Sequence, residues 1–177
     1  MARRRPAPEG PIDVVTRARG AVAESVRCRR LLHGLRRALK REHAGVELLL
    51  TGDAEQRALN RRLRGRDRTT DVLSFPSGSD LEPGRAHLGE IAISLPQAAR
   101  QARAAGWPRR DEMALLVTHG FLHLIGYDHE TDDGTMHRLE ERLLRRVARV
   151  RLDRRALPWG EAAARPAARR RRRAHHG

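Results

Sequence analysis

Aromatic side chains are scarce in this chain: two phenylalanines, two tryptophans and one tyrosine make up 3% of its 177 residues. A core with so few rings must be built mainly from Leu, Val, Ile and Ala. Cysteine occurs once, as Cys28, which excludes an internal disulfide and reads as a small helix side chain rather than a metal ligand. No window of 18 residues is apolar throughout, and the opening MARRRPAPEG lacks the hydrophobic segment of a secretory leader. The expectation is a soluble, cytoplasmic protein with no membrane span. Lysine is also nearly missing; Lys40 stands alone among 37 basic residues, the rest being arginine.

What the chain has in excess is positive charge, +15 in all, unevenly spread. Nine of the arginines, Arg3 to Arg5, Arg165 and Arg169 to Arg173, lie near the two ends, and the remaining 28 basic and 22 acidic residues leave +6 for the body. Such a body attracts a polyanion at cellular salt, and an arginine-rich tail adds phosphate affinity that weakens as salt rises. The same arginine, alanine, glycine and proline richness is also what a GC-rich genome produces. Length suits one domain with a single core. The organisation expected is a disordered basic stretch over 1–10, one domain over 11–157, and a disordered Arg-rich tail over 158–177, where His175 and His176 lack a rigid partner.

Residues 12–16, IDVVT, read as a short strand, and from about Ala23 to Glu42 the apolar positions Val26, Leu31, Leu32, Leu35 and Leu39 recur at helical spacing. VELLLT at 46–51 reads as a buried strand. Asp53 with Gln56 forms a capping box for a helix through Leu63, leaving Arg64 at its end. DVLSF at 71–75 is a strand closed by Pro76, the Pro- and Gly-bearing segment to Gly84 a loop, and HLGEIAIS at 87–94 an alternating strand. Pro96 opens a helix to about Ala105, another begins near Arg110, and Asp132 or Asp133 caps a last helix to about Arg149 with Leu139, Leu143, Leu144 and Val147 as its buried stripe. Strands and helices mix without strict alternation, so the fold class expected is α+β: a small mixed sheet of about four strands surrounded by about five helices.

The chemistry concentrates in THGFLHLIGYDH, residues 118–129. His119 and His123 are four apart, so on a helix they share one face. Gly126 can take positive φ, end the helix and swing the chain back, which brings His129 in as a third ligand. Phe121, Leu122, Leu124 and Ile125 around them mark a buried helix. Three imidazoles with an open fourth position make a catalytic metal arrangement, zincin-like in spacing. Zn²⁺ fits best, although nickel, cobalt or copper also accept three imidazoles. Gly120 stands where a zincin peptidase carries its general-base glutamate, so peptide hydrolysis of that type is disfavoured. Asp128 is the nearby carboxylate best placed by sequence to orient a ligand or accept a proton; Glu130 is a weaker candidate, and His137 reads as a packing or surface residue.

HGFLHLIGYDH resembles, at every fixed position, the HGxLHLxGYDH signature of the YbeY family of bacterial metal-dependent endoribonucleases and rRNA maturation factors. LNRRLRGRDRTTDVLSFP at 59–76 and LGEIAIS at 88–94 are similar to two further blocks of that family, so the resemblance covers roughly residues 12–150. Two positions depart: Leu63 stands where the family usually has tyrosine, and Thr69 where it has proline. The resemblance implies a metal held by His119, His123 and His129 and a scissile phosphate gripped by Arg64, a role for which a planar guanidinium with paired donors is suited. It implies cleavage of single-stranded RNA, maturation of the small-subunit rRNA 3′ end and ribosome quality control. The implied partners are the small ribosomal subunit, one of its proteins and an Era-type GTPase. The residues leave the general base open, and they leave two rival readings: a non-catalytic ribosome-assembly factor whose metal is structural, and a metallopeptidase.

Overall fold

The first strand, β1 (Ile12–Thr16), and the second, β2 (Gly45–Thr51), flank helix α1 (Val22–Ala38) and pair in parallel, with Val14 opposite Leu48. Helix α2 (Asp53–Arg64) follows, then β3 (Val72–Pro76) and β4 (His87–Ser94). β4 inserts between β2, parallel to it, and β3, antiparallel to it, which gives the mixed order β1-β2-β4-β3. Helices α3 (Leu95–Ala105), α4 (Arg109–Leu124) and α5 (Thr135–Leu143) complete the α+β domain, and a π-helical turn over Leu144–Ala148 extends α5. This computed structural model describes residues 8–18, 20–78 and 87–151. The expected tail over 158–177, most of the expected N-terminal stretch and part of the loop after Pro76 lie outside them.

One face of the sheet is the core. Ile12, Val46, Leu48, Leu50, Ile91 and Ile93 pack against Leu32 and Leu35 of α1 and Met113, Leu116, Val117 and Phe121 of α4. Helix α4 is buried on nearly every side from Glu112 to Leu122, which is why its sequence shows little amphipathic contrast. Among the described residues arginine enters this interior once, at Arg36, which is 1% exposed and donates through Nη1 to the carbonyls of Gly10 (2.7 Å) and Ala44 (2.6 Å), holding the chain around β1 and β2. Cys28 is buried as expected, and burial pushes its thiol up to about 12, so it stays protonated and inert.

Local chemistry departs from expectation at two helix ends. The capping box at Asp53 does not form: Gly52 is the N-cap, and the Asp53 carboxylate instead accepts from Ser94 Oγ (2.5 Å) and Arg100 Nη2 (2.7 Å), tying α2 to α3. Tertiary partners outcompete the local cap because they bring a charged donor. The last helix stops at Leu143 rather than near Arg149, widens into the π-helical turn, and ends at Arg149 with φ 58°. Val150 N–H then returns to the Leu144 carbonyl (3.0 Å), closing the end as a left-handed cap does.

Glu112 is fully buried in the first turn of α4; its Oε2 accepts from Trp107 Nε1 (2.6 Å), and its Oε1 has no hydrogen-bond partner among the described residues. Burial chiefly, with the Asp71 carboxylate adding to it, pushes its carboxyl up from 4.5 to about 7. A carboxyl that holds its proton more tightly when folded stabilises the fold below its unfolded value and loses that contribution as pH rises through the folded one. Glu112→Gln should therefore gain on the wild type between about pH 4.5 and 8, by up to about 3 kcal/mol. Urea denaturation at several pH values checks this; a pH-independent difference would refute it.

Candidate metal centre

Helix α4 delivers two of the histidines because positions 119 and 123 lie on one side of its last turns. Gly126 adopts φ +92°, as expected of the residue that stops the helix, and the chain doubles back through Tyr127. His129 thereby joins the pair, although it belongs to no helix. Ring centroids are 4.7 Å apart for His119–His123, 5.0 Å for His119–His129 and 5.3 Å for His123–His129. One ring nitrogen from each lies within 4.8 Å of the others, so the group could hold a metal ion.

The spacing suits a metal better than a hydrogen-bonded pair alone. His119 Nε2 and His123 Nε2 stand 3.1 Å apart. Two imidazoles on a tetrahedral ion at about 2.0–2.1 Å stand roughly 3.3 Å apart. Burial, followed by the neighbouring His119 and His129, pushes His123 down to about 4, and burial likewise lowers His129. Neutral imidazoles present lone pairs, which is the form that ligates. The donor set thus suits a divalent ion.

Around the cluster lies a cavity of about 530 Å³ that also takes in Arg64, Asp71, Ser74, Asp128 and Glu130. Arg64 reaches it from the end of α2, where Gly65 in the left-handed conformation caps the helix. Its Nη2 donates to the Ser74 carbonyl (3.1 Å) and its guanidinium lies 5.9 Å from the Phe75 ring centroid, so β3 steers the side chain through two contacts. The turn that follows, with Thr69 before Thr70, is held by its own contacts. Arg57 makes two 2.8 Å bonds to Asp67, and Asn60 donates to the Arg68 carbonyl (2.8 Å). Leu63, where the resembled family has a tyrosine, is 49% exposed.

Asp128 sits at the cavity rim, exposed, and its Oδ1 accepts the Glu130 N–H (3.0 Å); that bond chiefly holds its carboxyl below the usual range, with His123 and His129 adding to it. A further carboxylate, which sequence reasoning missed, meets the ring of His119. Glu140 Oε1 lies 3.1 Å from His119 Nδ1, both side chains buried. A glutamate in the apolar stripe Met136–Glu140–Leu143 was the available signal. His137 is half-buried, its ring centroid 5.7 Å from that of His129 and outside the three-histidine group.

Gly120 explains the missing glutamate. A Cβ there would stand 2.9 Å from Ile91 Cγ2 and 3.0 Å from Ser74 Oγ, so α4 touches β3 and β4 where a zincin side chain would begin. No glutamate can stand between helix and sheet without moving them.

A three-histidine cluster sharing a cleft with an arginine defines a candidate metal-dependent hydrolase of phosphate esters. A family model described as Endoribonuclease YbeY matches residues 22–148, and the chain belongs to that family. The Solibacter usitatus endoribonuclease YbeY is 52% identical over 99 residues, a match covering 56% of this chain and 63% of that protein. An endoribonuclease YbeY of Thermus thermophilus is 41% identical over 139 residues, covering 75% of this chain and 98% of that protein. A Thermotoga maritima protein solved in solution shares the fold with a TM-score of 0.56 and 30% identity, over 77% of this chain and 88% of that one.

Replacing Gly120 by alanine ordinarily gains about 1 kcal/mol inside a helix. Here overpacking against Ile91 and Ser74, on the order of 1–3 kcal/mol, should outweigh that gain, so Gly120→Ala is expected to lower the urea midpoint. A stabilised variant would mean that α4 is free to lift from the sheet.

Proposed function

We propose that this protein is a zinc-dependent, single-strand-specific endoribonuclease of the cytoplasm that matures the small-subunit rRNA 3′ end and serves ribosome quality control. The domain over 11–157 carries the activity. One observation supports the reading above the others: three histidine nitrogens within 4.8 Å of one another share a cavity with Arg64. A bound divalent ion supplies positive charge at the phosphoryl oxygen and lowers the pKa of water. His119, His123 and His129 would hold it.

Arg64 binds a non-bridging phosphate oxygen. With one N–H engaged by the Ser74 carbonyl, its other donors have no protein acceptor among the described residues and are left for the anion. Asp128, ionised at the rim, accepts a proton or orients the attacking group, with Glu130 beside it. Net charge of +15 favours encounter with RNA. No helix among the described residues is long and apolar enough to cross a membrane. By family resemblance the partners are the small ribosomal subunit, one of its proteins and an Era-type GTPase.

Cleavage of a labelled single-stranded RNA spanning an unprocessed small-subunit rRNA 3′ end tests the reading, with His123→Ala purified identically as the control for contaminating nuclease. Wild type is expected to cut and the variant to lose activity with its fold intact. Arg64→Ala should lower the rate by about 10²-fold or more while leaving bound metal unchanged. RNA binding without cleavage by either protein would favour the assembly-factor reading with a structural metal.

A further inference from the structure

We infer that Glu140 is a positioning residue for the metal centre, fixing which nitrogen of His119 faces the ion. The inference rests on the three-histidine metal reading. Glu140 lies 21 residues beyond His119 in sequence, on a different helix, yet its Oε1 is 3.1 Å from His119 Nδ1. The opposite nitrogen of that ring, Nε2, is 3.1 Å from His123 Nε2, on the side where the three rings converge. A neutral imidazole has one proton to place. A carboxylate at Nδ1 holds it there and leaves the Nε2 lone pair pointing at the ion. The other tautomer would set a lone pair against the carboxylate and an N–H into the ligand cluster, so both ends of the ring favour the same form.

The carboxylate is held as firmly as the ring. Asp132 accepts the N–H groups of Gly134 and Met136 at 2.7 Å each, which starts α5, and Met136 and Leu143 are buried in the same core as α4. Glu140 stands between them on that stripe, 1% exposed, against a histidine 5% exposed. A leucine there would pack as well and would spare the desolvation of a carboxylate. The geometry puts that carboxylate on Nδ1 of the ring whose Nε2 faces the other two histidines.

The test uses the full chain, stripped of metal, in three forms: wild type, Glu140→Leu and Glu140→Gln. Leucine removes the acceptor, whereas glutamine keeps an acceptor without the charge. Zinc affinity is measured by competition with a chromophoric chelator, and the His119 tautomer by long-range ¹H–¹⁵N correlation of the metal-free protein. Wild-type His119 is expected to carry its proton on Nδ1. Glu140→Leu is expected to weaken zinc binding by about 10- to 100-fold and to spread the ring proton over both nitrogens, with Glu140→Gln recovering part of each. A role limited to docking α5 would not move the tautomer. The inference is overturned if wild-type His119 carries its proton on Nε2, or if Glu140→Leu binds zinc within twofold of wild type. Should the leucine variant fail to fold, glutamine decides, and an affinity within twofold of wild type overturns the inference. Failure of the wild type itself to bind zinc would defeat the metal reading directly, an outcome distinct from a change confined to the variants.

Discussion

Helix α4 approaches the β3–β4 pair so closely at Gly120 that the helix backbone and the sheet leave no space for a side chain. The rest of the site depends on that contact. With Gly120 seated on Ile91 and Ser74, the helix cannot roll, so the positions on either side of that line of contact keep one direction. His119 and His123 therefore converge on the cavity that Ser74 and Arg64 also enter. The contact that removes the zincin glutamate is also the one that fixes the ligand pair.

Charged groups in this core have specific attachments. Arg36 binds two carbonyls at the ends of the first two strands, and Glu24, 3% exposed, meets Arg109 at 3.1 Å across α1 and α4. Glu140 meets His119, and Glu112 meets the Trp107 ring N–H. Each buried charge or polar head costs desolvation that apolar packing would avoid, so each position specifies a register between elements that leucine and valine contacts alone leave loosely defined. In a chain with few aromatic rings, these polar links between helices take on part of the work of specifying one arrangement.

The cavity joins three segments distant in sequence: the end of α2, the third strand, and the turn from α4 through His129. A cationic side chain, neutral ring nitrogens and an exposed carboxylate at the rim thereby meet in one open cleft. Under the proposed function a phosphodiester would present its anionic oxygens to Arg64 and its phosphorus to the three histidines. The arginine surplus of the body adds attraction over a longer range but no geometry.

The sequence by itself determined the parts of the site that depend on short spacing. The i, i+4 pair His119–His123, the helix stop at Gly126, the arrival of His129 and the runs at β1, β2 and β4 are local, since backbone geometry over a few residues decides them. Membership of the family was legible for the same reason, because its signature lies in contiguous blocks. Only the tertiary structure decided that Asp53 binds Ser94 and Arg100 instead of capping its own helix, that Gly120 presses on Ile91, and that Glu140 meets His119. These contacts link residues far apart in the chain, and which of many chemically equal partners meet is settled by how helices and sheet pack, which no local pattern encodes.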